Sequence, residues 1–194
     1  APAGECDPPI HEELPPHPVS PYGASKLAGE GYCSAYYRTY GVETVALRFS
    51  NVYGPLSTKK DSVVAKFIKQ ILDGCELEIY GDGSQSRDFI YVDDLVRAIQ
   101  LSATKPDIGG ETFQIATSKE TTIDELTETI KKIFEERKWA TEITVRFLEP
   151  RIGDVKRNFS DTSKAHSWLG WEATTDINTG LQNTIDWFFD DTDK

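Results

Sequence analysis

Apolar residues along the chain recur at two spacings, and the alternation between them outlines the fold. The stretch from Ser20 to Gly41 is bounded as a helix: Ser20 is a favourable N-cap, Pro21 suits the first helical position, and Gly41 is the stop. Val42 to Ser50 follows with a short apolar, β-rich middle, the signature of a buried strand. Helix, tight glycine link and strand form the α/β alternation that builds parallel sheets. Asn51-Val52-Tyr53-Gly54-Pro55 is expected to break that strand. Phe67, Ile68, Ile71 and Leu72 then form a core-facing stripe on a helix over 62–72, capped by Asp61 and closed by Gly74. Glu76 to Tyr80 alternates as a half-exposed strand, Gly81-Asp82-Gly83-Ser84 turns the chain, and Arg87 to Val92 is the second arm of a hairpin. Asp93 or Asp94 opens a helix through Arg97, Ile99 and Leu101, and Glu111 to Ala116 is a strand. Thr121 or Thr122 caps an amphipathic helix from Ile123 to about Arg137, with Leu126, Ile130, Ile133 and Phe134 inward. The pattern closes with a strand over 143–148, a short helix from Asp161 to Leu169-Gly170, and a helix from Asp176 to about Phe189 that partly buries Leu181, Ile185, Trp187 and Phe188.

Composition narrows the function classes. The 194 residues, 38% hydrophobic and 11% aromatic, can pack one fair-sized domain or two small ones. The net charge of −11 and the absence of a basic tract argue against a nucleic-acid surface. Any anion must therefore be held by a few placed cations. Cys6, Cys33 and Cys75 lack metal-ligand spacing and their odd number argues against a disulfide framework, so the expected compartment is reducing and cytoplasmic. His11, His17 and His166 are scattered, which argues against a metal site. No apolar run is long enough to span a bilayer, and no signal peptide is visible. The chain has no methionine, which fits a start in the middle of something longer, and Ala1 to Pro18 reads as an ordered loop or frayed end.

Candidate chemistry starts at Ser20-Pro21-Tyr22-Gly23-Ala24-Ser25-Lys26. Tyr22 and Lys26 stand four residues apart and share one helix face. An ammonium beside a phenol favours the phenolate, so such a pair can make a general base near neutral pH. The same spacing also describes a half-buried tyrosine beside a snorkelling lysine. Asn51 follows a strand end, where α/β sheets bind ligands, and reads equally well as a turn asparagine. Gly81 and Gly83 do not form a dinucleotide loop: Ser86 stands where a third glycine is needed, and a strand follows instead of a helix.

Taken in order, five stretches resemble the extended short-chain dehydrogenase/reductase family, specifically its NAD-dependent nucleotide-sugar epimerases and dehydratases, with UDP-glucose 4-epimerase-like enzymes the nearest. They are the Ser20–Lys26 stretch, Arg48 to Pro55, Ile79 to Gly83, Arg87 to Asp94, and Arg151-Ile152-Gly153-Asp154. The resemblance implies an α/β fold, the carboxyl-terminal part of a Rossmann-type parallel sheet with a smaller mixed α/β substrate-binding domain. Residues 1–50 and 87–116 would belong to the NAD-binding domain, and 51–86 and 117–194 to the nucleotide-sugar domain. It implies Tyr22 as acid and base, with Lys26 tuning it and holding the nicotinamide ribose, and Phe49 lining the nicotinamide. Asn51, Arg87 and Arg151 would contact a diphosphate, Glu78 and Tyr80 the base, Val63 an apolar wall, and Asp154 a ribose. Taken without the family, Arg87–Asp88 is a salt bridge, Glu78 and Arg151 are solvated and Val63 is core. The family's Gly-rich NAD loop has no counterpart here, and its third catalytic residue, a Ser or Thr, would lie just before Ala1.

The resemblance implies 4-epimerisation of a nucleotide-sugar, UDP-linked as in the UDP-glucose 4-epimerase-like enzymes, through a 4-keto intermediate, by a homo-oligomer such as a dimer. A 4,6-dehydratase or decarboxylase of the same family, or an inactive binding or assembly fragment, are the alternatives. Asn158 falls near a place where some 4-epimerases carry a larger aromatic residue beside the sugar, so the expected substrates include N-acetylated sugars. Asn158→Tyr should lower turnover of an N-acetylated substrate more than that of the plain sugar; equal losses in a coupled assay would count against the assignment.

Overall fold

The computed structural model describes residues 7–139, 142–151 and 153–192. Helix α1 (Pro21–Tyr40) has the expected ends. Ser20 Oγ accepts the Gly23 N–H at 3.0 Å, and Gly41, at φ 68°, turns left-handed and donates to the Tyr37 carbonyl. No residue of α1 is buried. It is moored by a fork from Arg48 to Glu30 (2.9 and 2.7 Å), by Thr44 Oγ1 donating to the Cys33 carbonyl, and by the Tyr37 ring lying over Gly110. Gly110 has φ 75°, and a Cβ there would sit 2.7 Å from that ring, so glycine is required on both counts.

The segment after α1 does not end at Asn51 as expected. Strand β1 (Ala46–Phe49) pairs in parallel with β6 (Thr112–Ile115), and the chain continues as β2 (Asn51–Tyr53), pairing in parallel with β5 (Phe89–Tyr91). The change of partner takes one residue: Ser50 N–H donates to the Ile115 carbonyl, and Asn51 N–H to the Asp88 carbonyl. Backbone hydrogen bonding is thus maintained through the Asn51 position, which explains why the strand survives there. A second expectation also changes. Strand β3 (Leu77–Tyr80) pairs in parallel with β8 (Val145–Leu148), whereas β4 (Ser86–Arg87) pairs antiparallel with β7 (Thr121–Thr122). The turn at 81–84 therefore joins two different ladders and is not a hairpin. Asp82 Oδ1 closes it by accepting from Ser84 N–H and Oγ, and Gly83 (φ 80°) lies against the Asp124 carboxylate.

The other helices follow their apolar spacing. Helix α2 (Val63–Leu72) is capped at Ser62 instead of Asp61, although the Ser62 side chain makes no cap bond. Helix α3 (Val92–Thr104) starts before Asp93 and keeps both Asp93 and Asp94 in its first turn, where the helix dipole favours them. Helix α4 (Ile123–Glu136) has the full capping box of Thr122 with Glu125. A short π-helix (Ala165–Leu169) ends at Gly170, and α5 (Ile177–Thr192) buries Leu181, Ile185 and Phe188 while Trp187 is partly covered. Among the described residues, no helix is long and apolar enough to cross a membrane.

Two apolar clusters result, and the β2–β5 ladder stands between them. Tyr53, Phe89 and Tyr91 enter one cluster with α2, α4 and α5; Val52 and Ile90 face the other, with Phe113, Ile115, Leu169 and Trp171. This is the period-two alternation of a strand covered on both faces. Asp88 lies where the ladders part. It is 2% exposed, and its Oδ1 accepts from Thr117 N–H (2.8 Å) and Oγ1 (2.7 Å), while Oδ2 takes the Ser160 N–H (3.4 Å). Burial pushes its carboxyl above the ordinary range despite those bonds. Asp88→Ala leaves these donors buried without an acceptor, and the expected loss is about 3 kcal/mol in urea unfolding. A loss below about 1 kcal/mol would show that water replaces the carboxylate.

Candidate functional site

Beside the β2–β5 ladder opens a cleft of about 590 Å³. Its wall includes Tyr22 from α1, Phe49 and Asn51 from β1 and β2, Val63 and Lys66 from α2 with Ser62 at its cap, and Glu78 and Tyr80 from β3; Arg87, Arg151 and Asp154 also line it. The strand alternation explains the β3 contribution. Leu77 and Ile79 are buried in the core, which turns Glu78 and Tyr80 to the opposite, half-exposed face.

Most of the residues expected from the sequence come together here. Tyr22 is 72% exposed and Phe49 is 47% exposed, each presenting an aromatic surface to the cleft. Lys26 is not part of the wall, but its Nζ lies 5.2 Å from the centre of the Tyr22 ring, so the two side chains share one face of α1. Asn158 is also outside the wall, half-buried on the segment that leads away from Asp154. Ile152 lies outside the described residues, so the Arg151–Asp154 stretch is placed by Arg151, Gly153 and Asp154.

The cleft concentrates cations in an acidic chain. Lys60, Lys66, Arg87 and Arg151 all line it, together with Asp61, Glu78 and Asp154. Arg87 Nη1 donates to the Ser86 and Val155 carbonyls (2.7 and 2.6 Å), and Nη2 pairs with Asp154. The guanidinium is therefore held in a fixed attitude, the condition for recognising a planar or tetrahedral oxyanion with little loss of side-chain freedom. Arg151 stacks on Tyr80, its Cζ 3.9 Å from the ring centre. Tyr53 Oη and Ser62 Oγ are buried along the same wall with no hydrogen-bond partner among the described residues, and burial raises the Tyr53 phenol well above its usual range.

Several residues of consequence were not singled out from the sequence. Glu120 accepts both arms of the Arg157 fork at 2.7 Å and also the Ser86 hydroxyl. With Ser86 N–H donating to the Lys156 carbonyl at 2.8 Å, this ties the 154–158 segment to β4 beside Arg87. Lys66 pairs with Glu78 at 2.7 Å. No local signal marks either pair, because the partners are far apart in the chain. Cys33 and Cys75 are free, and Cys6 lies outside the described residues. Among the described residues, no group of three or more His, Cys, Asp or Glu could hold a metal ion.

A family model described as "NAD dependent epimerase/dehydratase family" matches residues 1–116. A UDP-glucose 4-epimerase of Thermotoga maritima, solved with UDP-glucose, is 38% identical with a TM-score of 0.83; the match covers 91% of this chain and 56% of that one. A UDP-glucuronic acid 4-epimerase of Bacillus cereus, solved with UDP-glucuronic acid and NAD, is 33% identical with a TM-score of 0.87, covering 96% and 58%. A dTDP-glucose 4,6-dehydratase of Haemophilus influenzae is 34% identical over 189 residues, covering 94% of this chain and 55% of its own length. The chain spans about half the length of the curated relatives it matches.

The Glu120 pairing sets an acid limb on stability. Hydrogen bonds from Arg157 and Ser86 hold this carboxyl at about 2, against 4.5 for an unperturbed glutamate. A depressed folded-state value means that the stabilisation is present above about pH 4.5 and is lost as pH falls towards 2. Glu120→Gln should flatten the fall of Tm across that window; an unchanged acid limb would show that the fork does not anchor the segment.

Proposed function

The chain belongs to the NAD-dependent epimerase/dehydratase family, and from that premise we propose that it is part of a nucleotide-sugar 4-epimerase with Tyr22 as acid and base. The observation that carries this reading is that one cleft wall combines Tyr22 with the guanidinium groups of Arg87 and Arg151. A proton-transfer group and a pyrophosphate grip are the two things that chemistry on a nucleoside diphosphate sugar requires. UDP-sugars bound to the two 4-epimerase structures support the same class of ligand.

In this reading Arg87, Arg151 and Asn51 hold the diphosphate, Glu78 and Tyr80 face the base with Val63 as apolar wall, and Asp154 approaches the ribose. Tyr22 removes the proton from the sugar 4-hydroxyl, and Lys26, on the same helix face, offers a cation to the ring oxygen as the proton leaves. Tyr22 later returns the proton, so it ends the cycle unchanged. NAD, when bound, supplies the acceptor and donor for the hydride at the sugar C4. The exposed rings of Tyr22 and Phe49 and the nearby Lys26 ammonium fit its nicotinamide end. Residues 1–50 and 87–116 are then the cofactor side of the protein, and 51–86 with 117–194 the sugar-nucleotide side, the π-helix at 165–169 docking back on the first of these. A homo-oligomer belongs to the same reading, supported by the exposed Tyr32, Tyr36 and Tyr40 of a helix that buries nothing.

The likeness to a dTDP-glucose 4,6-dehydratase favours one alternative, loss of water from the same 4-keto sugar. Product analysis of the NAD-loaded protein separates the two: an epimerase returns a sugar of unchanged mass, a dehydratase one lighter by a water. Tyr22→Phe is expected to lower turnover by about 10²–10⁴-fold while UDP-sugar affinity in calorimetry stays within about threefold, since the phenol is asked for proton transfer and not for grip. Retained turnover would remove Tyr22 from the mechanism; absence of any UDP-sugar binding by the wild type would remove the nucleotide-sugar assignment.

A further inference from the structure

We propose that Arg48 is a positioning residue for proton transfer: by taking both oxygens of Glu30 it keeps that carboxylate from capturing Lys26, and the ammonium stays with the Tyr22 phenol. The inference rests on the reading of Tyr22 as acid and base. Tyr22, Lys26 and Glu30 follow one another at four-residue spacing along one stripe of α1. Helical side chains lean toward the helix N-terminus, so each is placed to reach the one before it. Lys26 does so: its Nζ lies 5.2 Å from the centre of the Tyr22 ring, and among the described residues it forms no ion pair. Glu30 does not. Arg48 Nε and Nη2 donate to its two oxygens at 2.9 and 2.7 Å, which draws the carboxylate off the helix and onto β1.

Stabilisation alone accounts poorly for this fork. The Arg48 and Glu30 side chains are 11% and 16% exposed, and Arg48 Nη1 is buried with no hydrogen-bond partner among the described residues. A mostly buried pair with an unsatisfied donor loses to desolvation much of what its attraction returns. Thr44 and Tyr37 also moor α1. A bidentate fork does occupy a carboxylate fully, since its two N–H groups fix both oxygens. Opposite charges attract at the (i, i+4) spacing, so a Glu30 released from Arg48 has Lys26 as the nearest cation along its own helix. An ammonium engaged by a carboxylate offers less to a phenolate, because the added negative charge opposes its field. Other charges surround the group: Lys60, Asp61, the Lys66–Glu78 and Arg87–Asp154 pairs and Arg151 line the cleft with Tyr22. His17 precedes the Pro18 that packs on Gly23, and Arg38 and Glu43 stand at the far end of α1. All of these are common to the variants below, so their effects cancel in the comparison.

The test is a pH titration, followed by NMR, of the protein labelled with carbon-13 at tyrosine Cζ, with the Tyr22 resonance identified by its loss in Tyr22→Phe. Arg48→Met should move the ionisation midpoint of Tyr22 upward by ~0.3 pH unit or more, the size of an exposed ion-pair interaction. Glu30→Gln/Arg48→Met lacks the fork but also the carboxylate, and should return the midpoint to the wild-type value. In a Lys26→Met background most of the Arg48→Met shift should vanish, a cycle that separates capture of Lys26 from the direct loss of the Arg48 charge. An unmoved midpoint in Arg48→Met, an equal displacement in the single and double variants, or a full shift without Lys26 overturns the inference. If Arg48→Met does not fold, Glu30→Gln/Arg48→Met decides: a midpoint below the wild type's shows that Glu30 already acts on Lys26, and overturns it as well. The catalytic reading of Tyr22 is decided separately, by the turnover of Tyr22→Phe.

Discussion

The carboxylate of Asp88 holds the place where the sheet divides. Between Ser50 and Asn51 the chain leaves one parallel ladder for another, and the backbone can do so only if its hydrogen bonds are taken up on both sides of the change. The Asp88 carbonyl supplies one acceptor, and its side chain gathers Thr117 and Ser160 from segments that would otherwise end in unpaired donors. Burying a carboxyl is unfavourable by itself, as its raised protonation range shows. It is tolerated because several backbone and hydroxyl donors converge on it. The cleft opens beside this division, in keeping with the tendency of α/β sheets to bind ligands where neighbouring strands part.

Electrostatics then specialises the cleft. The chain carries a net charge of −11, so general attraction of an anion is unavailable, and recognition must come from individual cations held in place. Arg87 meets that requirement through bonds to Ser86, Val155 and Asp154, and Arg151 through the face of Tyr80. The Glu120–Arg157 fork sits behind them and joins the 154–158 segment to β4. Rigid placement reduces the conformational entropy lost when a ligand arrives, the condition under which a few guanidinium groups can outweigh an unfavourable surrounding field.

Helix α1 illustrates a different balance. It carries Tyr22 and Lys26, yet it buries no residue and depends on a fork to Glu30, a threonine bond and the Tyr37 contact with Gly110. Within the described residues, the helix that carries Tyr22 and Lys26 is positioned by polar moorings, while α2, α4 and α5 are held by apolar packing.

Local sequence determined the elements whose physics is local. Ser20 with Gly41 set the ends of α1, Thr122 with Glu125 the start of α4, and the spacing of Phe67, Ile68 and Ile71 the buried face of α2. The ordered motifs from Tyr22 to Asp154 were sufficient to point to the family and to nine residues of the cleft wall. Tertiary structure alone decided which strands pair. The turn at 81–84 has the composition of a hairpin, but its flanking strands found β8 and β7, and β2 found β5 instead of ending. It also decided that Lys66 meets Glu78 and that Glu120 meets Arg157. Periodicity specifies which face of an element avoids water; it carries no address for the partner, which is chosen by contacts between residues distant along the chain.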